Sequence, residues 1–225
     1  MPCKKNGSKI FCSDLDGTLV KGDITEGSIY YKGIVEHLYS LGLINSIKYP
    51  TYADYSLVYF RRLELEDTGA YVMPYEIYDS NTQDNAIAQY WKNTISKFFV
   101  NYTKNFLKKK AKKGYKIWIV SASPVIYIAP IVNYLPIDKI VAIEPSKIIS
   151  YGPGKVKRIK ALTNKELNGV AGYIGDSWNN DGPIMSTLRN YNKCAVIQYI
   201  YHNQTLNDVI LNLKRYNIKK VNAYV

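Results

Sequence analysis

The sequence predicts an α/β fold: a doubly wound, mostly parallel, Rossmann-like sheet with a mainly helical subdomain inserted near its start. Three observations carry that expectation. Short continuous apolar runs recur along the chain, as strands buried on both faces of a parallel sheet require. Helical patterns alternate with those runs. One connection is far too long for a plain crossover.

In chain order, the first strand falls at 9–14, around Ile10-Phe11-Cys12. The second is Lys116-Ile117-Trp118-Ile119-Val120, ending at Ser121-Ala122-Ser123-Pro124. The third lies at 139–143, the fourth at 170–174 ending in Gly175-Asp176, and the fifth at 194–197 around Cys194-Ala195-Val196-Ile197. Helices are expected at 84–113, 125–134, 155–167 and 181–189, with a closing helix at 204–215 and a strand or tail at 216–225. About 95 residues separate Val20 from the second strand, where a crossover needs about 10–20. Residues 21–83 are therefore read as the insertion, leaving 1–20 and 84–225 as the α/β core.

Composition narrows the function classes. At 47% hydrophobic and 21% charged, the chain is globular, and no apolar stretch is long enough to span a bilayer. The polar first eight residues predict no secretory leader. Three cysteines, Cys3, Cys12 and Cys194, fit a reducing, cytoplasmic setting without a disulfide framework; Cys12 and Cys194 read as small core residues. The net charge of +12 favours an anionic substrate or partner. The densest lysine run, Lys104 to Lys116, ends a helix at Gly114, where cations suit the dipole; no nucleic-acid motif accompanies it. With only His37 and His202, neither a Ser–His–Asp hydrolase nor a histidine zinc site is supported.

The chemistry begins at Asp14-Leu15-Asp16-Gly17-Thr18. Two carboxylates two apart at a strand end point the same way, and the pocket they face suits a cation and a phosphate better than a core. Asp14 and Asp16 end the first strand, Ser121 the second and Asp176 the fourth. In open α/β sheets the binding crevice lies at such carboxyl ends. Each residue has an ordinary reading alone. Asp-Gly makes turns, Ser123 before Pro124 reads as a helix N-cap, Lys155 has solvent-type neighbours, and Asp181 can cap a helix.

Together they form a pattern. Asp14-Leu15-Asp16-Gly17-Thr18-Leu19-Val20 resembles the first motif of the haloacid dehalogenase-like superfamily in its phosphatase form. Ser121 resembles the second motif, Lys155 in Gly152-Pro153-Gly154-Lys155 the third, and Gly175-Asp176 through Asp181-Gly182-Pro183 the fourth. The long insertion is similar to the helical cap of the phosphoserine-phosphatase-like branch. The resemblance implies a phosphomonoester hydrolase in which Asp14 is the nucleophile and Asp16 the acid and base. Ser121, Ala122 and Lys155 would bind phosphate. Asp14, Asp176 and the Asp16 carbonyl would hold Mg²⁺, with Asp181 or Asn180 orienting the lysine and the metal's waters. The acid at Asp16 does not match dehalogenases or phosphonatases, and transport ATPases carry Thr there.

Substrate readers are sought in the insertion, at Asp23 or Glu26 and at Arg61 and Arg62, which against these roles read as surface charges. Most of the 22 tyrosines are expected simply to pack. A small phosphorylated metabolite is the expected substrate. The same site would also serve a phosphomutase or phosphotransferase. The charge leaves open a polynucleotide phosphatase or a basic nucleic-acid-binding protein.

Overall fold

A computed structural model describes residues 9–22, 29–43, 80–144, 150–163, 167, 169–201 and 207–223. Six strands form one sheet: β1 (Ile10–Ser13), β2 (Lys116–Pro124), β3 (Lys139–Ile143), β4 (Val170–Gly175), β5 (Val196–Ile200) and β6 (Lys219–Val221). Their order is β3-β2-β1-β4-β5-β6, and every neighbouring pair is parallel. The chain winds outward from β1 in one direction through β3, then crosses back to place β4 on β1's other side. The strand order therefore reverses between β1 and β4, which is where ligands bind in such sheets.

Alternation along the strands builds a core on each face. Phe11, Ile117, Ile119 and Ile174 face one layer; Cys12, Trp118, Val120 and Tyr173 face the other. On the first layer α3 (Asn101–Lys112), which carries Leu107, packs against β2, while α1 (Ile29–Ser40) and α2 (Ser80–Asn93) pack on each other and bring Ile34, Leu38, Ile87 and Trp91 into the same apolar cluster. The second is covered by α5 (Pro153–Leu162), α6 (Trp178–Tyr191) and α7 (Asn207–Arg215), through Ile159, Ile184, Met185, Leu188 and Leu213. A single turn, α4 (Val125–Ile128), follows β2.

The expected 84–113 helix is two helices. Between them lie a 3₁₀ turn, Ile95–Phe98, and an extended Phe99–Val100. Tertiary pairing overrides the helical pattern there: Lys21 N donates to Phe98 O at 2.8 Å and Val100 N to Leu19 O at 2.9 Å. The expected 125–134 helix becomes 3₁₀ after one turn, because Pro130 has no N–H to continue the ladder.

The fifth strand starts at Val196, not 194. Asn192 makes a turn just before it, its side chain accepting from Cys194 N at 3.0 Å and its carbonyl from Ala195 N at 3.0 Å. Cys194 is consequently exposed rather than a core residue, whereas Cys12 is buried and free. No described helix is long and apolar enough to cross a membrane.

The α3 lysines do more than stay solvated. Lys110 Nζ lies 5.0 Å from the Phe11 ring, 5.2 Å from Phe106 and 4.9 Å from Tyr115. Burial and then Lys113 lower its pKa. Phe11 itself is fully buried, edge-on to Phe106 with centroids 5.2 Å apart. Phe11→Ala is expected to cost about 3–5 kcal/mol, read as a lowered midpoint in urea denaturation.

Candidate functional site

Backbone geometry brings the acids together first. Beyond β1, Asp14 N donates to Ile174 O at 2.9 Å, so the end of β1 lies against the end of β4. The chain then closes tightly, the Leu15 carbonyl accepting from Leu19 N at 2.8 Å and Val20 N at 2.9 Å. Gly17 sits in this turn at φ +68°, a conformation glycine adopts without steric cost. Its missing side chain matters as well, because a Cβ there would collide with the Asp176 carboxylate. Thr18 Oγ1 donates to Asp176 Oδ1 at 2.8 Å and ties the first loop to the end of β4.

Lys155 enters from α5. That helix opens with Gly152, at φ +51°, then Pro153 in its first turn, where a missing N–H costs nothing. The Asn180 side chain accepts from Gly152 N at 3.2 Å and docks this start against α6. The lysine is completely buried, and its Nζ meets Asp14 Oδ1 at 2.7 Å, Asp181 Oδ1 at 2.6 Å and the Tyr173 hydroxyl at 3.2 Å. Burial pulls its pKa down, but Asp14 and Asp181 outweigh that and leave it above its ordinary value. The ammonium is thus its favoured form.

Asp181 is not the cap of α6. Ser177 takes that role, its side chain accepting from Asn180 N at 3.3 Å. The Asp181 carboxylate instead turns back toward the sheet. Oδ1 accepts from Lys155 and, at 2.6 Å, from the Tyr173 hydroxyl; Oδ2 accepts from Asp176 N and Ser177 N, both at 3.1 Å. Gly175 leaves room for it, since a Cβ there would overlap this carboxylate.

On the β2 side, Ser123 is not an N-cap. The strand runs on through it, and its hydroxyl donates to Asp16 Oδ2 at 3.0 Å, while its N–H donates to Ser121 Oγ at 3.0 Å. Ser121 is buried and Ala122 half-buried beside it. Asp14, Asp16, Ser121, Lys155, Asp176 and Asp181 thus converge, with Asn180 bracing α5. Thr18, Ser123 and Tyr173 join them, though none of the three was expected in the site from sequence. The two serines are two apart on one strand, so their shared face was available as a signal. Glu26, Arg61 and Arg62, like Asp23, lie outside the described residues.

Asp14, Asp176 and Asp181 each offer an oxygen within 4.8 Å of the others, a grouping that could hold a metal ion. Proximity alone would make all three ligands. The lone pairs of Asp181, however, are committed to two side-chain and two backbone donors, which leaves Asp14 and Asp176 as the better carboxylate donors. The Asp14 carboxyl is held well above its ordinary pKa. Burial is the main cause, and Asp181 adds to it; Lys155 acts in the opposite direction, and Asp176 and Asp16 raise it further. A cation at this place would relieve that crowding.

Residues 11–186 match the profile of the haloacid dehalogenase-like hydrolases, and the chain belongs to that family. The matched span runs from β1 into α6 and contains every residue of the acidic cluster. No curated protein matches in sequence. Among solved structures, a protein of unknown function from Bordetella pertussis Tohama I is 12% identical, with a TM-score of 0.59 and coverage of 97% of this chain and 100% of that one. A phosphoserine phosphohydrolase-like protein from Francisella tularensis subsp. tularensis SCHU S4 is 16% identical, with a TM-score of 0.51 and coverage of 90% and 92%. At these identities the likeness is one of fold.

Two outcomes follow from the geometry. Gly17→Ala is expected to displace the Asp176 carboxylate and weaken divalent-cation binding by about tenfold or more, measured by isothermal titration. The raised Asp14 pKa also sets a pH dependence. Without a cation, the folded chain keeps a proton that the unfolded chain releases. Stability from this group is therefore fully present below the ordinary value of 3.8 and declines as pH rises toward the raised one. Asp14→Asn is expected to flatten that decline in thermal melts taken upward in pH from the ordinary value of 3.8.

Proposed function

We propose that this chain is a Mg²⁺-dependent phosphomonoester hydrolase that works through an aspartyl-phosphate on Asp14. One observation carries the reading: a buried ammonium, Lys155, is held 2.7 Å from one oxygen of a strand-end carboxylate, at the switch point of a parallel sheet. An exposed ion pair would suggest only a surface contact. Here a nucleophile of the right type stands beside a fixed positive charge that can receive a phosphoryl group.

The donor set fits magnesium. Asp14, Asp16, Asp176 and Asp181 bring four carboxylates against one ammonium. A like-charged pair at about 4 Å costs about 4 kcal/mol at an effective dielectric of about 20. All the available ligand atoms are hard oxygens. Asp14, Asp176 and the Asp16 carbonyl would hold the ion, while Asp181 orients Lys155. Bound there, Mg²⁺ would supply positive charge that keeps the Asp14 carboxylate ionised and offsets that of the phosphate.

The residues then divide the work. An Asp14 oxygen attacks phosphorus, forming the acyl phosphate as the ester P–O bond breaks. Asp16 gives its proton to the departing alkoxide, then takes one from the water that attacks the same phosphorus, releasing inorganic phosphate and restoring Asp14. Ser123 fixes the Asp16 carboxyl through the bond to Oδ2, so the proton is offered from the other oxygen. Ser121, Ala122 and Lys155 bind the phosphoryl oxygens. Residues 21–83 act as the cap, with Glu26, Arg61 and Arg62 as readers of a small phosphorylated metabolite.

Hydrolysis of p-nitrophenyl phosphate in Mg²⁺ tests the reading. Asp14→Asn is expected to lower kcat by about a thousandfold or more, and chelation of the metal to abolish turnover. Undiminished activity in that variant would exclude the mechanism.

A further inference from the structure

The phenol of Tyr173 occupies a place that an ordinary strand residue would not need. Its ring belongs to the buried layer beneath α5 and α6, paired in register with Cys12. Two residues further along the same face comes Gly175, whose open side admits the Asp181 carboxylate. The Tyr173 hydroxyl therefore ends directly under the Lys155–Asp181 contact. Leaving a phenolic oxygen unbonded there would be costly. It is not unbonded: it donates to Asp181 Oδ1 at 2.6 Å and accepts a hydrogen bond from Lys155 Nζ at 3.2 Å. Burial, and then Asp181 and Asp14, keep its pKa well above the ordinary value, so the hydroxyl stays a donor.

An ammonium has three protons. Two go to Asp14 and Asp181, the third to this hydroxyl. Two carboxylates alone define a line between them, about which Nζ can still swing. A third partner, off that line, fixes its position. The Tyr173 contact is also the longest of the three, and a neutral oxygen is the weakest acceptor among them. It therefore orients the ammonium without weakening either ion pair.

We propose that Tyr173 is a positioning residue of this site, its hydroxyl holding the Lys155 ammonium at the point where it meets a phosphoryl group. The proposal rests on the phosphatase reading above. Tyr173 touches no substrate; it acts through Lys155.

The test compares wild type with Tyr173→Phe, which keeps the ring and removes one oxygen. Orthovanadate serves as the phosphoryl mimic. Isothermal titration measures its affinity in Mg²⁺ and, separately, the affinity for Mg²⁺ alone. The expected result is vanadate binding weakened about tenfold, the size of one hydrogen bond to a charged group, with Mg²⁺ affinity changed by less than about threefold. A merely structural role would degrade both together or neither. Vanadate affinity equal to wild type, or a parallel loss of both, overturns the Tyr173 role and leaves the phosphatase reading standing. A wild type that neither binds vanadate with Mg²⁺ nor hydrolyses p-nitrophenyl phosphate overturns both. If Tyr173→Phe does not fold, Tyr173→Met fills the same space without a hydroxyl and carries the same comparison.

Discussion

One buried positive charge organises the molecule's functional end. An ammonium taken wholly out of water is tolerated only when its partners replace what the solvent supplied. Lys155 finds three such partners on three separate elements: Asp14 after β1, Tyr173 on β4 and Asp181 on α6. If any of these elements moved, the charge would be stranded. The demand reaches into the backbone. Gly152 and Pro153 start α5 where its third residue can reach the crevice, and Gly175 keeps a strand position open for a carboxylate. Local choices that look unrelated along the chain answer one electrostatic requirement.

Much of this was legible in the sequence, for physical reasons that also explain the failures. Strands buried on both faces must be apolar throughout, so β1 to β4 stand out. Asp14 and Asp176 stood out because carboxylates at strand ends are hard to place in a core, whereas Lys155 was picked out only by its resemblance to the family's third motif. The long helix from 84 to 113 was misread because its break depends on pairing with Leu19 and Lys21, about 80 residues earlier. The start of β5 was misread because one Asn192 side chain decides it. Ser123 looked like a cap until Asp16, 107 residues away, proved to be its partner. Tyr173 was one of many tyrosines, and only the fold shows what its hydroxyl meets.

The charge balance also takes on a spatial meaning. The whole chain is strongly basic, yet the crevice gathers four aspartates. Several of the lysines are committed to aromatic faces: Lys110 to Phe11, Phe106 and Tyr115, and Lys104 to Phe99, 5.1 Å from its centroid. Part of the positive charge therefore serves packing, with the stems of the lysines covering apolar rings.

The stitching of Leu19 to Val100 and of Lys21 to Phe98 has a consequence for how the chain can change. The long excursion leaves the core and rejoins it through the same pair of hydrogen-bonded segments, with Val20 and Phe99 bridged antiparallel between them. The two ends of the excursion are thereby held side by side. Lengthening a loop whose ends are already clamped adds little entropic cost, growing only with the logarithm of its length. Different sequences could be exchanged between those ends while the aspartates stayed where they are.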